Sequence, residues 1–232
     1  MRSKSYLWAE NDSVIAPHKI DSPNHTTDNA PLPLQQLCTT MVDSKLKGWY
    51  NKPDKKVVIR DAKIIMRAPR GTDCWLKTKQ GLLQQSRSIN NAPFHWQKAT
   101  GNFNVLVKIS GGFSSDGDKA GIMLRCSEDE WIFAGMEYYN QTINAFTSVA
   151  IEHSDWSIAP LPEKSEKAGV WFCVKRDGDL VECLYSLDAM KWVQTRQVMF
   201  TTEPTLYVGL ACACPQGDEY RVTFENYSCN KS

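Results

Sequence analysis

From Trp49 onward the chain is cut into short strand-like runs, each closed by turn residues, with no long stretch of capped helical period to compete. The runs are Val57–Arg60, Lys63–Ala68, Cys74–Thr78, Asn104–Ser110, Gly121–Cys126, Trp131–Tyr139, Ala145–Glu152, Val170–Arg176, Leu180–Ser186, Val193–Phe200, Thr205–Cys212 and Arg221–Tyr227. Between them lie breaks with identifiable turn chemistry. Arg176-Asp177-Gly178-Asp179 carries the Asp-Gly pair of a tight hairpin, and Ser110–Gly117 is almost wholly Gly, Ser and Asp. Strands at this spacing, without helices or an internal repeat, predict an antiparallel sandwich or barrel.

The sharpest pair of runs is Ala120–Cys126 and Trp131–Tyr139, joined by the acidic turn Ser127–Glu130. Alternation puts Ala120, Ile122, Leu124 and Cys126 on one face, and Gly121, Met123 and Arg125 on the other. In the second run Ile132, Ala134, Met136 and Tyr138 oppose Trp131, Phe133, Gly135, Glu137 and Tyr139. Arg125 and Glu137 are therefore charges embedded in apolar strands, and each needs a solvated groove or a partner.

Composition narrows the class. The 232 residues, 42% hydrophobic and 23% charged, suit one all-β domain with an extension. A net charge of +1, from 27 basic and 26 acidic residues, offers no electrostatic case for nucleic acid or anionic membranes. No run is long enough to span a bilayer. Residues 1–45 are polar and broken by Pro17, Pro23, Pro31 and Pro33, which predicts a flexible extension before a domain over 46–232. Met1–Ile20 lacks the apolar core of a secretory signal, so the eight cysteines are expected as reduced thiols in the cytoplasm. Cys212-Ala213-Cys214 is too tight for a zinc knuckle, and the four histidines show no ligand spacing. No metal or other cofactor is expected. Asp116-Gly117-Asp118 alone is a weak calcium signal.

An ordered set of motifs carries a family resemblance. Trp49-Tyr50-Asn51-Lys52-Pro53 is followed by Thr72–Thr78, Asp118–Arg125, Trp131–Glu137, Ser154-Asp155-Trp156-Ser157, Tyr185-Ser186-Leu187-Asp188 and Val208–Pro215. From about Trp49 to Tyr227 the chain resembles the regulation of enolase protein 1 family, a domain of unknown function with a concanavalin A-like fold. The resemblance implies a jelly-roll sandwich of two curved antiparallel sheets, as in legume lectins, glucanases and xylosidase accessory domains. Cys74, Lys119 and Phe133 depart from the family pattern, where an aromatic residue, Gln and Lys respectively are usual.

Alternation also sets Asp73, Trp75 and Lys77 opposite Cys74 and Leu76. If the cysteine face is core, a cleft on the concave sheet face is lined by Asp73, Trp75, Lys77, Arg125 and Glu137. Asp155 and Trp156 follow in what reads as a loop at one end. Aromatic rings there suit the apolar faces of sugars, and the charged groups suit their hydroxyls. The leading expectation is a non-catalytic carbohydrate-binding protein. The family name suggests a regulator that binds a metabolic enzyme such as enolase. A weak glycoside hydrolase built on Glu137, with Asp73 or Asp155 as second carboxylate, is the third reading, although the paired-Glu strand signatures of catalytic relatives are absent. The bland alternative is that Arg125 and Glu137 simply pair across strands.

Overall fold

The computed structural model describes residues 46–76 and 88–232; the expected N-terminal extension, 1–45, and Lys77 lie outside the described residues. In chain order the strands are β1 (Gly48–Tyr50), β2 (Val58–Arg60), β3 (Lys63–Pro69), β4 (Cys74–Trp75), β5 (Ile89–Asn90), β6 (Phe94–Thr100), β7 (Phe103–Gly111), β8 (Lys119–Arg125), β9 (Glu130–Tyr139), β10 (Thr142–Ile151), β11 (His153–Pro160), β12 (Val170–Asp177), β13 (Leu180–Ser186), β14 (Val193–Met199), β15 (Thr205–Ala213) and β16 (Glu219–Lys231). One helical turn, α1 (Ser165–Ala168), separates β11 from β12.

Two seven-stranded antiparallel sheets carry the fold. The first runs β1-β6-β15-β8-β9-β10-β11 and the second β14-β13-β12-β7-β16-β3-β2, while β4 and β5 form a separate small ribbon. This is the expected jelly-roll sandwich. Its turns follow their chemistry. Gly178 takes φ 62° between β12 and β13, where the Asp-Gly pair predicts a hairpin. Asn140 and Gln141 both adopt positive φ between β9 and β10. Two departures stand out. The run expected to end at Glu152 begins earlier, at Thr142, and is followed at once by a further strand, because Glu152 takes φ 64° and turns β10 into β11. Asp155 and Trp156 therefore lie within a strand, not in a loop.

Alternation in β8 and β9 is observed as read. Ala120, Ile122, Leu124, Ile132, Ala134 and Met136 point between the sheets, where they meet Val107, Ile109, Val174 and Phe224 of the second sheet. Their opposite face does not open to solvent. Met123, Trp131, Phe133 and Phe146 are at most 1% exposed and form a second apolar cluster with Cys74, Leu76, Ala92 and Phe94. The fold thus stacks a second core on the outer face of the first sheet.

Candidate binding face

The outer face of the first sheet can be read rung by rung. Lys119 stands beside Glu137 and Ala213, Gly121 beside Gly135 and Ala211, Met123 beside Phe133 and Gly209, and Arg125 beside Trp131 and Tyr207. On the far side of β9, Glu137 neighbours Asn144 and Phe133 neighbours Ser148, with Trp156 beside Ser148 on β11. The Gly121–Gly135 rung excludes side chains. A Cβ on Gly121 would stand 2.1 Å from the Ala134 carbonyl oxygen, and one on Gly135 would stand 2.0 Å from that of Ala120. This bare rung separates the charged end of the face from its aromatic middle.

Lys119 organises the charged end. Its Nζ lies 2.8 Å from Asp73 Oδ1 and 3.6 Å from Glu137 Oε1. Trp156 Nε1 donates to Glu137 Oε2 at 2.7 Å, and the ring meets Tyr139 edge-on at 5.0 Å. Lys119, Asp73 and Glu137 are all buried. Asp73 reaches the cluster from the segment just before β4, and it is held locally. Its Oδ1 also accepts from the Cys74 backbone N–H, and its own N–H donates to Asn91 Oδ1, both at 2.8 Å. Burial alone would strip the proton from Lys119, but the two carboxylates outweigh it and hold the ammonium well above its ordinary range. Glu137 moves upward as well, because its burial outweighs Lys119 and the indole donor.

Arg125 sits at the other end of the face. Since Arg125 is level with Trp131 and Glu137 is six residues further along β9, the two charges are roughly 20 Å apart at strand rise. The cross-strand pair of Arg125 with Glu137 does not form; Lys119 takes the place opposite Glu137. Arg125 instead donates through Nε to Ser127 O at 2.9 Å and through Nη1 to Asn90 Oδ1 at 3.1 Å, and its guanidinium lies 4.6 Å from the Tyr50 ring centre.

Of the expected cleft residues that are described, the structure brings Asp73, Glu137 and Trp156 together and leaves Trp75, Arg125 and Asp155 apart. Trp75 does not look outward. Both Cys74 and Trp75 are buried, and Leu76 N–H is anchored to Ser154 Oγ at 2.8 Å. Asp155 faces away from the cluster, since alternation from Trp156 turns it to the other side of β11. There its Oδ2 pairs with Arg196 Nη2 of β14 at 2.6 Å. The Asp116–Asp118 loop uses its carboxylates on backbone N–H groups, its own and that of the β9–β10 turn. Asp118 Oδ2 accepts from Ser114 and Ser115 N–H, and Asp116 Oδ1 from Asn140 N–H. Among the described residues no group of three or more His, Cys, Asp or Glu side chains is placed to hold a metal. No helix among them is long and apolar enough to cross a membrane. Sequence reasoning missed Lys119 as the hub, although its departure from the family pattern was the available signal. It also missed Asn90, Trp96 and Tyr207, which gave none.

Fold and site together define a β-sandwich of the concanavalin A-like class in which the outer face of the first sheet is covered by the chain's own side chains. Residues 49–232 match the family described as "Protein of unknown function (DUF1349)", and the chain belongs to that family. "Regulation of enolase protein 1" of Saccharomyces cerevisiae is 27% identical over 180 residues, covering 78% of this chain and 87% of its own. The crystal structure of a functionally unknown Saccharomyces cerevisiae protein superposes with a TM-score of 0.72 at 25% identity, over 80% of this chain and 96% of that one. A GH43 protein from Bacillus licheniformis gives 0.57 at 12% identity, over 75% of this chain and 34% of its own, a likeness of fold alone.

Proposed function

We propose that the protein is a non-catalytic regulator that works by binding another protein, with a metabolic enzyme such as enolase as the partner. The observation that carries this reading is the relative named for regulation of enolase, which aligns over most of both chains. The geometry agrees with it. Glycoside hydrolysis needs two carboxyl groups free to exchange protons on either side of a scissile bond. Asp73 and Glu137 instead both contact one buried ammonium. The middle of the face is equally unsuited to an open sugar groove, because Met123, Trp131, Phe133 and Phe146 already fill it. The thiols of Cys74, Cys173, Cys183 and Cys212, buried and without a disulfide among the described residues, suit a reducing compartment such as the cytoplasm.

The test is a titration of the purified full chain with purified enolase, read by calorimetry and by enolase turnover. Saturable binding with a change in turnover is expected. No heat and no change in turnover up to about 100 μM would remove the reading.

A carbohydrate ligand is the second reading, favoured by the rim at β9 and β11. There Tyr139, 41% exposed, meets the half-buried Trp156 beside the Glu137 carboxylate. On a glycan array this predicts binding that is lost in Trp156→Ala; an array without hits dismisses it.

A further inference from the structure

At the end of the outer face remote from Lys119, four strands bring three half-buried rings and two cations together. Tyr50 comes from β1, Trp96 and Lys98 from β6, Tyr207 from β15 and Arg125 from β8. Tyr207 packs edge-on against Trp96, at 4.7 Å between ring centres, and against Tyr50, at 5.6 Å. Lys98 Nζ lies 5.5 Å from the Tyr207 ring centre, and the Arg125 guanidinium covers one face of Tyr50.

The charge balance here is the reverse of that at Lys119, where two carboxylates surround one ammonium. Among the described residues neither Lys98 nor Arg125 has a carboxylate within ion-pair distance. Arg125 spends its Nε and Nη1 hydrogens on neutral oxygens. Glu128, exposed in the β8–β9 turn, is close enough to act on Tyr50, but among the described residues it is not paired with either cation. Among the described residues Trp96 Nε1 is a buried donor with no partner.

The rings are arranged for contact with a protein rather than for stacking on a sugar. Trp96 lies flat over Gly48, where an added Cβ would stand 2.2 Å from the ring, and Tyr50 is covered by Arg125. Ring faces are used internally, and mainly edges remain for a partner. Tyr, Trp and Arg gathered at the centre of a half-buried patch are also the residue types that dominate protein–protein binding energy. We propose that Tyr50, Trp96, Tyr207 and the exposed Lys98, backed by the charge of the buried Arg125, form the docking surface for an acidic surface segment of a partner protein. This rests on the regulator reading above. The segment lays its apolar part against the ring edges and sets a carboxylate beside Lys98, whose charge, with that of Arg125 behind it, steers its approach.

The experiment titrates purified enolase against the wild-type full chain, Lys98→Glu, Tyr207→Ala and, as a control on the second sheet, Met199→Ala, at low and moderate salt. Lys98 is exposed, so Lys98→Glu preserves the fold if Tyr207→Ala does not. The expected result is about tenfold or more loss of affinity in Lys98→Glu and Tyr207→Ala, unchanged affinity in Met199→Ala, and wild-type binding that weakens with salt. Wild-type binding that survives both patch substitutions overturns the docking surface and leaves the regulator reading standing. Absence of wild-type binding overturns both. Binding of an acidic glycan, or self-association, abolished by Lys98→Glu without any enolase binding would overturn the protein-partner assignment and hand the patch to that ligand.

Discussion

The two faces of the β8–β9 hairpin are both buried, but by different means. Between the sheets, Ile122, Leu124, Ile132 and Met136 meet residues of equal character from the second sheet, and hydrophobic contact suffices. On the outer face, Met123, Trp131 and Phe133 are covered by the short β4 segment and its neighbours, and that cover is tied down by polar contacts at its edges. Asp73 is held to Lys119, Leu76 to Ser154, and Asn90 to Arg125. The difference teaches that a sheet face can lose its groove without losing its alternation. The same pattern of outward residues becomes a core when a strand segment lies over it.

The strongest way to break this comparison is to cut a large side chain from the outer face. Phe133→Ala is expected to cost about 3–5 kcal/mol in urea unfolding, as much as a comparable truncation between the sheets. A cost under about 1 kcal/mol would mean that the face is an open groove after all. Lys119→Met, which strands two buried carboxylates, is expected to cost a similar 3–5 kcal/mol. Trp156→Phe removes only the indole donor to Glu137 and should cost about 1–3 kcal/mol while leaving the cover in place.

Glu137 sharpens the contrast through pH. Burial raises its carboxyl above the ordinary 4.5, so the folded state holds this proton more tightly than the unfolded chain does. The stability linked to it is fully present below pH 4.5 and is lost as pH rises through the folded value. Glu137→Gln has no such loss and still offers an oxygen to Trp156. Its stability relative to wild type should therefore improve between pH 4 and pH 7, as followed by denaturant midpoints at each pH. The smallest effect is expected at Asp155. Its side chain is 60% exposed where it pairs with Arg196, and Asp155→Ala should change stability by no more than about 1 kcal/mol.

The sandwich was legible because alternation and turn chemistry act locally. Ile122 and Phe133 announce opposite faces through their neighbours alone, and Asp177-Gly178 announces its hairpin. The outer core was not legible, because it depends on which segment crosses the sheet. Nothing near Trp75 in sequence says that Leu76 will reach Ser154, seventy-eight positions away. Alternation also proved uninformative for so short a strand, since Cys74 and Trp75 are buried on both sides. Glu137 was legible as a charge needing company, but its partner Lys119 lies opposite it on β8. That assignment needs the register, which tells Lys119 from Arg125 as the residue opposite. Asp155 and Trp156 read as one loop feature, whereas a single turn residue, Glu152, places them in a strand and sends them to opposite faces.

The Lys119–Asp73 contact is what fastens the cover to the sheet, and a double-mutant cycle on it is the most direct measurement. Lys119→Met, Asp73→Asn and the double variant are compared with wild type by urea unfolding at neutral pH. A closed outer core held by this ion pair predicts a coupling energy of about 1.5 kcal/mol or more between the two sites. Losses that add within about 0.5 kcal/mol would contradict it, because Asp73 and the cover it carries would then be held independently of Lys119.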